Sequence, residues 1–240
     1  MSRIDNEIAH GKKLASGGAE EIWNWSSPAG QKRADRRANY FIELAKVKQG
    51  NKVLEIGCGT GLFTQKFFDA TQAEITAIDI SQDLLDEAKK NLPQVNFKKD
   101  DAMNLSFADE TFDVVFGSSI LHHLDFEPAL KEIFRVMKKG GRMIFAEPNM
   151  LNPQIFVQKN IPFIKKWLGD SPDETAIVRW SFRRKMEKQG FTAVKIFPYD
   201  FLHPSTPEFL IPLVQGTGKV VEKIPVLNEI AGSVIIYGEK

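Results

Sequence analysis

Short apolar runs alternate along this chain with longer stretches whose apolar residues return every three or four positions. The runs fall at 53–56, 75–79, 95–99, 112–116 and 142–146. Runs of that length read as buried strands, and the longer spacing reads as one face of a helix. Helical faces are carried by Ala38, Phe41, Ile42 and Ala45, by Leu62, Phe63, Phe67 and Phe68, by Leu84, Leu85, Ala88 and Leu92, and by Leu130, Ile133, Phe134 and Met137. Gly50-Asn51 stops the first of these, Pro93 closes the third, and Gly140-Gly141 is expected to cap the fourth. Strands and helices in this alternation predict a largely parallel sheet covered on both faces.

The pattern breaks over residues 148–172. Pro148, Pro153, Pro162 and Pro172 stand there among Phe156, Phe163 and Trp167, which predicts an insertion packed over the carboxyl edge of the sheet. A helix is expected near 173–189, ended by Gly190, then a sixth strand at 194–197 and a last one at 233–237. Residues 1–28 are polar and rich in Gly and Ser around Trp23 and Trp25, and read as a mobile arm that orders partly over another part of the chain. The apolar tail segments 209–214 and 220–230 cover the sheet, form a dimer contact or touch a bilayer. No repeat or linker interrupts the chain, so 1–240 is expected to be one α/β domain.

Composition narrows the function classes. The chain has 240 residues, is 42% hydrophobic and carries a net charge of +1, so no global charge draws it to nucleic acid. Its single cysteine, Cys58, rules out a disulfide within the chain and a cysteine-rich zinc site. The N-terminus lacks the apolar stretch of a signal peptide, and no apolar run reaches membrane-spanning length. A cytoplasmic location without integral membrane association is expected.

The richest chemistry lies in Val53-Leu54-Glu55-Ile56-Gly57-Cys58-Gly59-Thr60-Gly61. This turn follows a strand and opens a helix, at the carboxyl end of a strand where open α/β sheets bind ligands. Glycines there let the backbone approach a ligand closely. Asp79 ends the next strand, where a carboxylate accepts from both hydroxyls of a ribose. A dinucleotide fingerprint is spaced Gly-x-Gly-x-x-Gly. Here the spacing is Gly-x-Gly-x-Gly, preceded by Glu55, which would repel a pyrophosphate and suits a ligand with a cationic amino group, directly or through water.

These two segments resemble the first motifs of class I S-adenosylmethionine-dependent methyltransferases. The similarity continues through Lys99-Asp100-Asp101-Ala102, Phe112-Asp113-Val114-Val115, Leu121-His122-His123-Leu124 and the stretch 130–141. It also extends to ubiquinone- and menaquinone-biosynthesis methyltransferases, a likeness many subfamilies share. The resemblance implies a Rossmann-like seven-stranded, mostly parallel sheet in the order 3-2-1-4-5-7-6, with the last strand antiparallel. It implies a cofactor-binding core at 50–147 and an acceptor-side insertion at 148–172. The implied cofactor is S-adenosyl-L-methionine. Glu55, Gly57, Cys58, Gly59 and Gly61 would surround its methionine part. Asp79 would hold the ribose and Ile80 would pack on the adenine. Asp101, preferred to Asp100, would accept from the adenine amine, with Ala102 and Met103 beside the ring. Ser118 would offer its carbonyl to the amino group, and His123 would stand nearby.

For chemistry, His123 is the first candidate base and His122 the second, because both follow the fourth strand. The alternative for a histidine here is packing on the cofactor or bonding to backbone. Glu147 is a further acid–base candidate, or a partner for a loop amide. Trp23 and Trp25 form a lid, line the acceptor pocket or pack in the core. Phe156, Phe163, Trp167 and Trp180 line an apolar pocket or pack in the core. Arg179, Arg183 and Arg184 receive an anion or lie on a solvated face, and Lys32, Arg33, Arg36 and Arg37 read as solvated. Cys58 is expected to pack without a redox role. The expected activity is methylation of a small-molecule acceptor, with no nucleic-acid partner, by a monomer or homodimer. Methylation of protein or nucleic acid, and cofactor binding without transfer, are the alternatives.

Overall fold

The computed structural model describes residues 3–171 and 173–240; Met1, Ser2 and Pro172 of the expected arm and insertion lie outside them. Seven strands are present: β1 (Lys52–Ile56), β2 (Glu74–Asp79), β3 (Asn96–Lys99), β4 (Phe112–Ser118), β5 (Met137–Pro148), β6 (Thr192–Tyr199) and β7 (Ser233–Glu239). They form one sheet in the order β3-β2-β1-β4-β5-β7-β6. Neighbours from β3 to β5 are parallel, and β7 runs antiparallel to both β5 and β6. The expected order and the reversed last strand are both present.

The helices are α1 (Arg3–Gly17), α2 (Ala19–Ile22), α3 (Pro28–Ala45), α4 (Leu62–Thr71), α5 (Gln82–Asn91), α6 (Phe126–Val136), α7 (Pro153–Asn160), α8 (Pro162–Trp167), α9 (Arg179–Gln189) and α10 (Ile211–Val221). Central strands are buried on both faces, so their residues are apolar without alternation. On one face Phe41 of α3, Phe67 of α4 and Leu85 of α5 pack with Val53, Val114 and Phe116. On the other, Leu130 and Ile133 of α6 and Phe182 and Met186 of α9 pack with Leu54, Val115 and Met143. Phe67 stacks on Phe116 with ring centroids 4.5 Å apart. Each such ring contributes about 1.5–3 kcal/mol by leaving water. Local caps agree with this packing. Ser27 accepts from the Gly30 amide ahead of Pro28, which opens α3.

The arm departs from expectation, because it is helical and docked. Leu14 and Ala19 pack on Leu84 of α5. Gly11 lies so close to α5 that a Cβ there would come 2.6 Å from Ser81 Cβ. A few small residues make this contact, so the polar composition of the arm conceals it. Gly140-Gly141 does not cap a helix. α6 stops at Val136, whose carbonyl accepts from Thr111, and Met137 pairs beside Phe112, so the chain is already in β5. The helix expected from 173 starts at Arg179, because Ile177 bridges Asn149 in extended form. In the tail, Ile211 packs with Ala29 and Leu202, whereas Phe209 and Val226 are 81% and 78% exposed. Core packing therefore holds for only part of that segment. No helix among the described residues is long and apolar enough to cross a membrane.

Candidate active site

A cleft of about 1080 Å³ opens at the carboxyl ends of β1, β2 and β4. Its floor is the turn after β1. Gly57 and Gly59 take φ of +70° and +53°, a region that favours glycine. A Cβ on Gly57 would lie 2.5 Å from Ile120, and one on Gly59 2.8 Å from the Trp23 ring. Asp79 accepts from the Gly59 and Ser81 amides, each at 2.9 Å. Burial pushes its carboxyl up, and those amides pull it back. Each carboxylate oxygen keeps lone-pair capacity for a further donor. Asp100 uses both oxygens within its own loop, on Ser106 and the Asp101 amide. Among the described residues the Asp101 carboxylate bonds the Met103 amide alone, at 2.8 Å, so it is the freer of the doublet. Ile80, Ala102, Met103 and Ser118 complete this end of the cleft.

The far end is built around adjacent histidines. Glu147, 0% exposed, accepts from the Ile120 and Leu121 amides at 3.0 and 2.9 Å and meets His122 Nδ1 at 2.7 Å. Burial raises the Glu147 carboxyl, but His122 and the amides outweigh it and hold it low. Nδ1 of His122 therefore carries the proton, leaving Nε2 as an acceptor. Burial and the His123 charge push His122 below the ordinary histidine range. His123 goes the other way. Burial opposes its charge, but Glu7 and Glu174, with carboxylate oxygens 3.0 and 3.8 Å from Nδ1, raise it. Lys159 bonds Glu174 at 2.6 Å and Asp170 at 2.8 Å. Glu174 is lowered to about 2, because His123, Lys159 and His122 outweigh its burial. Donor atoms of His122, His123 and Glu174 lie within 4.8 Å of one another. The Lys159 ammonium on Glu174 sets this group as a hydrogen-bonded network and disfavours a cation there.

Helix α1 closes over the histidines. Arg3 donates to the His123 carbonyl at 2.6 Å and pairs with Asp125, and Ser171 donates to Glu7 at 2.7 Å. Behind the turn, α3 projects three arginines. Arg33 pairs with Asp200 at 2.7 Å and Arg36 with Glu222 at 2.5 Å. Among the described residues Arg37, 3% exposed, bonds only hydroxyls: Tyr199 at 3.0 Å, Ser118 and Ser119 each at 2.8 Å, and Ser233 at 3.2 Å.

A methyltransferase-domain family model matches residues 54–145, which span the turn, Asp79, the histidines and most of β5. Demethylmenaquinone methyltransferase of Staphylococcus haemolyticus is 30% identical over 172 residues, 62% of this chain and 72% of that protein. The chain belongs to the class I S-adenosylmethionine-dependent methyltransferases. An uncharacterized methyltransferase-like protein of Schizosaccharomyces pombe is 28% identical over 68% of this methyltransferase, which spans 63% of that relative's length. Among solved structures, phosphoethanolamine N-methyltransferase 2 of Haemonchus contortus shares the fold. Its TM-score is 0.69 at 15% identity, covering 100% of this chain and 60% of that one.

Residue by residue, this methyltransferase gathers most of the expected positions on one cleft. Gly57, Cys58, Gly59, Asp79, Ile80, Asp101, Ala102, Met103, Ser118, His122 and His123 all line it. Glu55 does not. Its carboxylate lies behind the turn, takes a hydrogen bond from Thr64 and is pushed up to about 8 by burial and the Asp79 charge. Gly61 is also off the cleft, and its α-carbon faces Ala88, Leu92 and Phe97. Glu147 is an anchor for the loop amides and for His122, and is not itself on the cleft wall. Cys58 is buried, and burial first, then Asp79, pushes its thiol well up, as suits a packing role. Trp23 rests on Gly59, and Trp25 meets Phe63 edge-on at 5.4 Å. Of the aromatics expected in a pocket, Trp167 alone lines the cleft, at its open rim, for it is 80% exposed; Phe156, Phe163 and Trp180 are exposed away from it. Arg179 pairs with Glu229 and Arg183 with Glu187.

Sequence reasoning missed Glu7, Glu174, Lys159 and Arg37. For Arg37 a signal existed: it stands three residues after Ala34 and four before Phe41, on the buried stripe of α3. The solvated reading fits Lys32, which is exposed, but not Arg37. The others come from segments whose meeting no local pattern announces.

Proposed function

We propose that the protein transfers the methyl group of S-adenosylmethionine to a small-molecule acceptor. The observation that carries this is the continuity of one cleft from the Gly57–Gly59 floor and Asp79 to His122, roofed by the chain's own arm and insertion. The floor fits a nucleoside: a glycine turn in the positive-φ region at the carboxyl end of β1, a carboxylate with spare acceptors and a second, less engaged carboxylate at Asp101. Asp79 would hold the ribose and Asp101 the ring amine. Ser118 would offer its carbonyl to the amino group. The cofactor, when bound, supplies a methyl group already activated on sulfur.

The chain's own residues then place an acceptor and manage its proton. The arm and insertion over the cleft favour an acceptor small enough to lie under them. The apolar rim at Ile155, Trp167 and Leu168 favours a lipophilic, quinone-like one. Relatives named demethylmenaquinone methyltransferases support that class. His122, rather than His123, takes the acceptor's proton at Nε2. Its neutral form is favoured by burial, and Glu147 fixes its tautomer. His123, held charged between Glu7 and Glu174, ties the arm down.

Isothermal calorimetry with S-adenosylmethionine and S-adenosylhomocysteine tests the first half. Saturable one-to-one binding is expected, and no heat with either nucleoside overturns the proposal. A screen of quinols, phenols and amines for S-adenosylhomocysteine release then identifies the acceptor.

A further inference from the structure

The insertion carries large apolar side chains that the core does not use. No residue of α7 or α8 is buried. Yet Phe156, Val157, Ile161, Phe163, Trp167 and Leu168 all stand exposed there, Phe163 by 72%. Apolar side chains gathered so densely on a surface mark a place that something else covers. The cluster continues onto the tail. Asn149 and Asn152, just before α7, donate to the carbonyls of Glu229 and Ile230 at 2.7 and 2.8 Å. Ile224, Val226, Leu227 and Ile230 are exposed beside that junction. Val226 takes φ of +73°, unfavourable for a β-branched residue, and still turns its side chain to solvent.

Charge narrows what could cover this surface. Every carboxylate of residues 149–171 and 221–230 already has a cation: Asp170 meets Lys159, Glu222 meets Arg36 and Glu229 meets Arg179. Lys166 and Lys223 are exposed, with no carboxylate in ion-pair distance among the described residues. The charge left over is positive, and it suits an anionic surface. Lys166 stands directly beside Trp167 and three residues after Phe163 on α8. Exposed aromatic rings interleaved with lysine suit the boundary between lipid headgroups and acyl chains, where a ring enters and an ammonium stays at the phosphates. A second copy docked on the same face would set these lysines against their own counterparts, because a two-fold contact uses one patch twice.

We infer that the insertion and the 224–230 turn seat the protein on an anionic phospholipid bilayer, with Phe163 and Trp167 entering the headgroup layer and Lys166 and Lys223 on the phosphates. Trp167 and Leu168 belong at once to this surface and to the rim of the cleft. A lipophilic acceptor dissolved in the bilayer therefore reaches the cleft along them without crossing water. That route rests on the reading of the cleft as the transfer site; the contact with the bilayer does not.

Sedimentation of the full chain with vesicles tests this, using phosphatidylcholine alone and phosphatidylcholine mixed with phosphatidylglycerol. Wild type is expected to sediment with the mixed vesicles, far less with the neutral ones, and to be released as salt rises. The double variant Phe163→Ser, Trp167→Ser should bind the mixed vesicles roughly tenfold or more weakly. Lys166→Gln should lose roughly fivefold. All three side chains are exposed or nearly so, and equal melting temperatures would confirm that the variants are folded. Wild type that stays in solution with both vesicle types overturns the inference. So does equal binding to both types, or a double variant that binds as wild type does. A wild-type dimer that the double variant loses would give this face to a second copy and overturn it as well. Should the double variant fail to fold, Lys166→Gln and the salt titration of wild type still decide. Vesicle binding without affinity for S-adenosylmethionine or S-adenosylhomocysteine would sink the proposed activity and spare the bilayer contact. Nucleoside binding without vesicle binding would do the reverse.

Discussion

Two buried glutamates on opposite sides of the cleft are held in opposite states. Glu55, behind the glycine turn, has Thr64 for a partner and Asp79 for a neighbouring charge, and burial drives it up to about 8. Glu174, beneath the insertion, is nearly as buried but sits against Lys159 and His123, and is lowered to about 2. Burial acts the same way on both; the presence of a cation decides the outcome. The nucleoside end of the cleft is thus a preformed scaffold of backbone amides and strand-end carboxylates. The acceptor end is a network of charges held together by three separate segments of chain.

The largest effect is expected at the acceptor end. His122→Ala should lower kcat roughly 10²–10⁴-fold with an acceptor that must lose a proton. Affinity for S-adenosylhomocysteine should stay as in wild type. A matching loss of affinity in the same calorimetry would place His122 at the nucleoside end and erase the division.

Next come the two glutamates, whose pH dependences have opposite sign. Glu55 binds its proton more tightly when folded, so its contribution is present below pH 4.5 and is lost as pH rises toward 8. The loss is roughly 4–5 kcal/mol at most. Urea unfolding at pH 5 and pH 8 should show that slope flattened in Glu55→Gln. Glu174 is depressed, so its contribution is full above pH 4.5 and is lost as pH falls toward 2, by roughly 3 kcal/mol. Glu174→Gln should flatten the acid limb of the same curves. Equal slopes in variant and wild type would show that the pairing with Lys159 carries no stability.

Asp79→Ala should weaken S-adenosylhomocysteine binding by roughly 1.5–3 kcal/mol, the cost of removing a charged hydrogen-bond partner. An unchanged dissociation constant would remove Asp79 from the ribose site. The smallest effect is at the clasp. In Glu7→Gln the pKa of His123 should fall, because Glu7 raises it in wild type, and nuclear magnetic resonance titration of the ring would read this directly. Stability should change by about 1 kcal/mol or less, as for a single partly exposed pair.

How much of each end was legible follows from the range of the interactions that build it. Asp79, Gly57 and Gly59 can be read from sequence because a tight turn between a strand and a helix admits few residue types, all within a short stretch of chain. Glu147 was only half legible. Its place at the end of β5 was evident, but its two roles, acid–base group or amide anchor, differ by where the 120–122 loop comes to rest. Arg37 was misplaced because a charge amid other charges on a helix reads as solvated. Only its register with Ala34 and Phe41 marked it as inward-facing. Glu7 and Glu174 carried no local signal, since what matters about them is their distance to His123.

By itself, the sequence determined the alternation of strands and helices, the order of the sheet through its family motifs, and the glycine turn at the end of β1. Those features depend on backbone preference and on burial periodicity, which act between near neighbours. Only the tertiary structure decided that the polar arm is a docked roof, that of two adjacent histidines one is pushed down and the other up, and that one of three arginines of α3 has no carboxylate partner among the described residues. Each of these is settled by electrostatics between groups far apart in the chain, where a few ångströms and the presence of one cation or anion reverse the result.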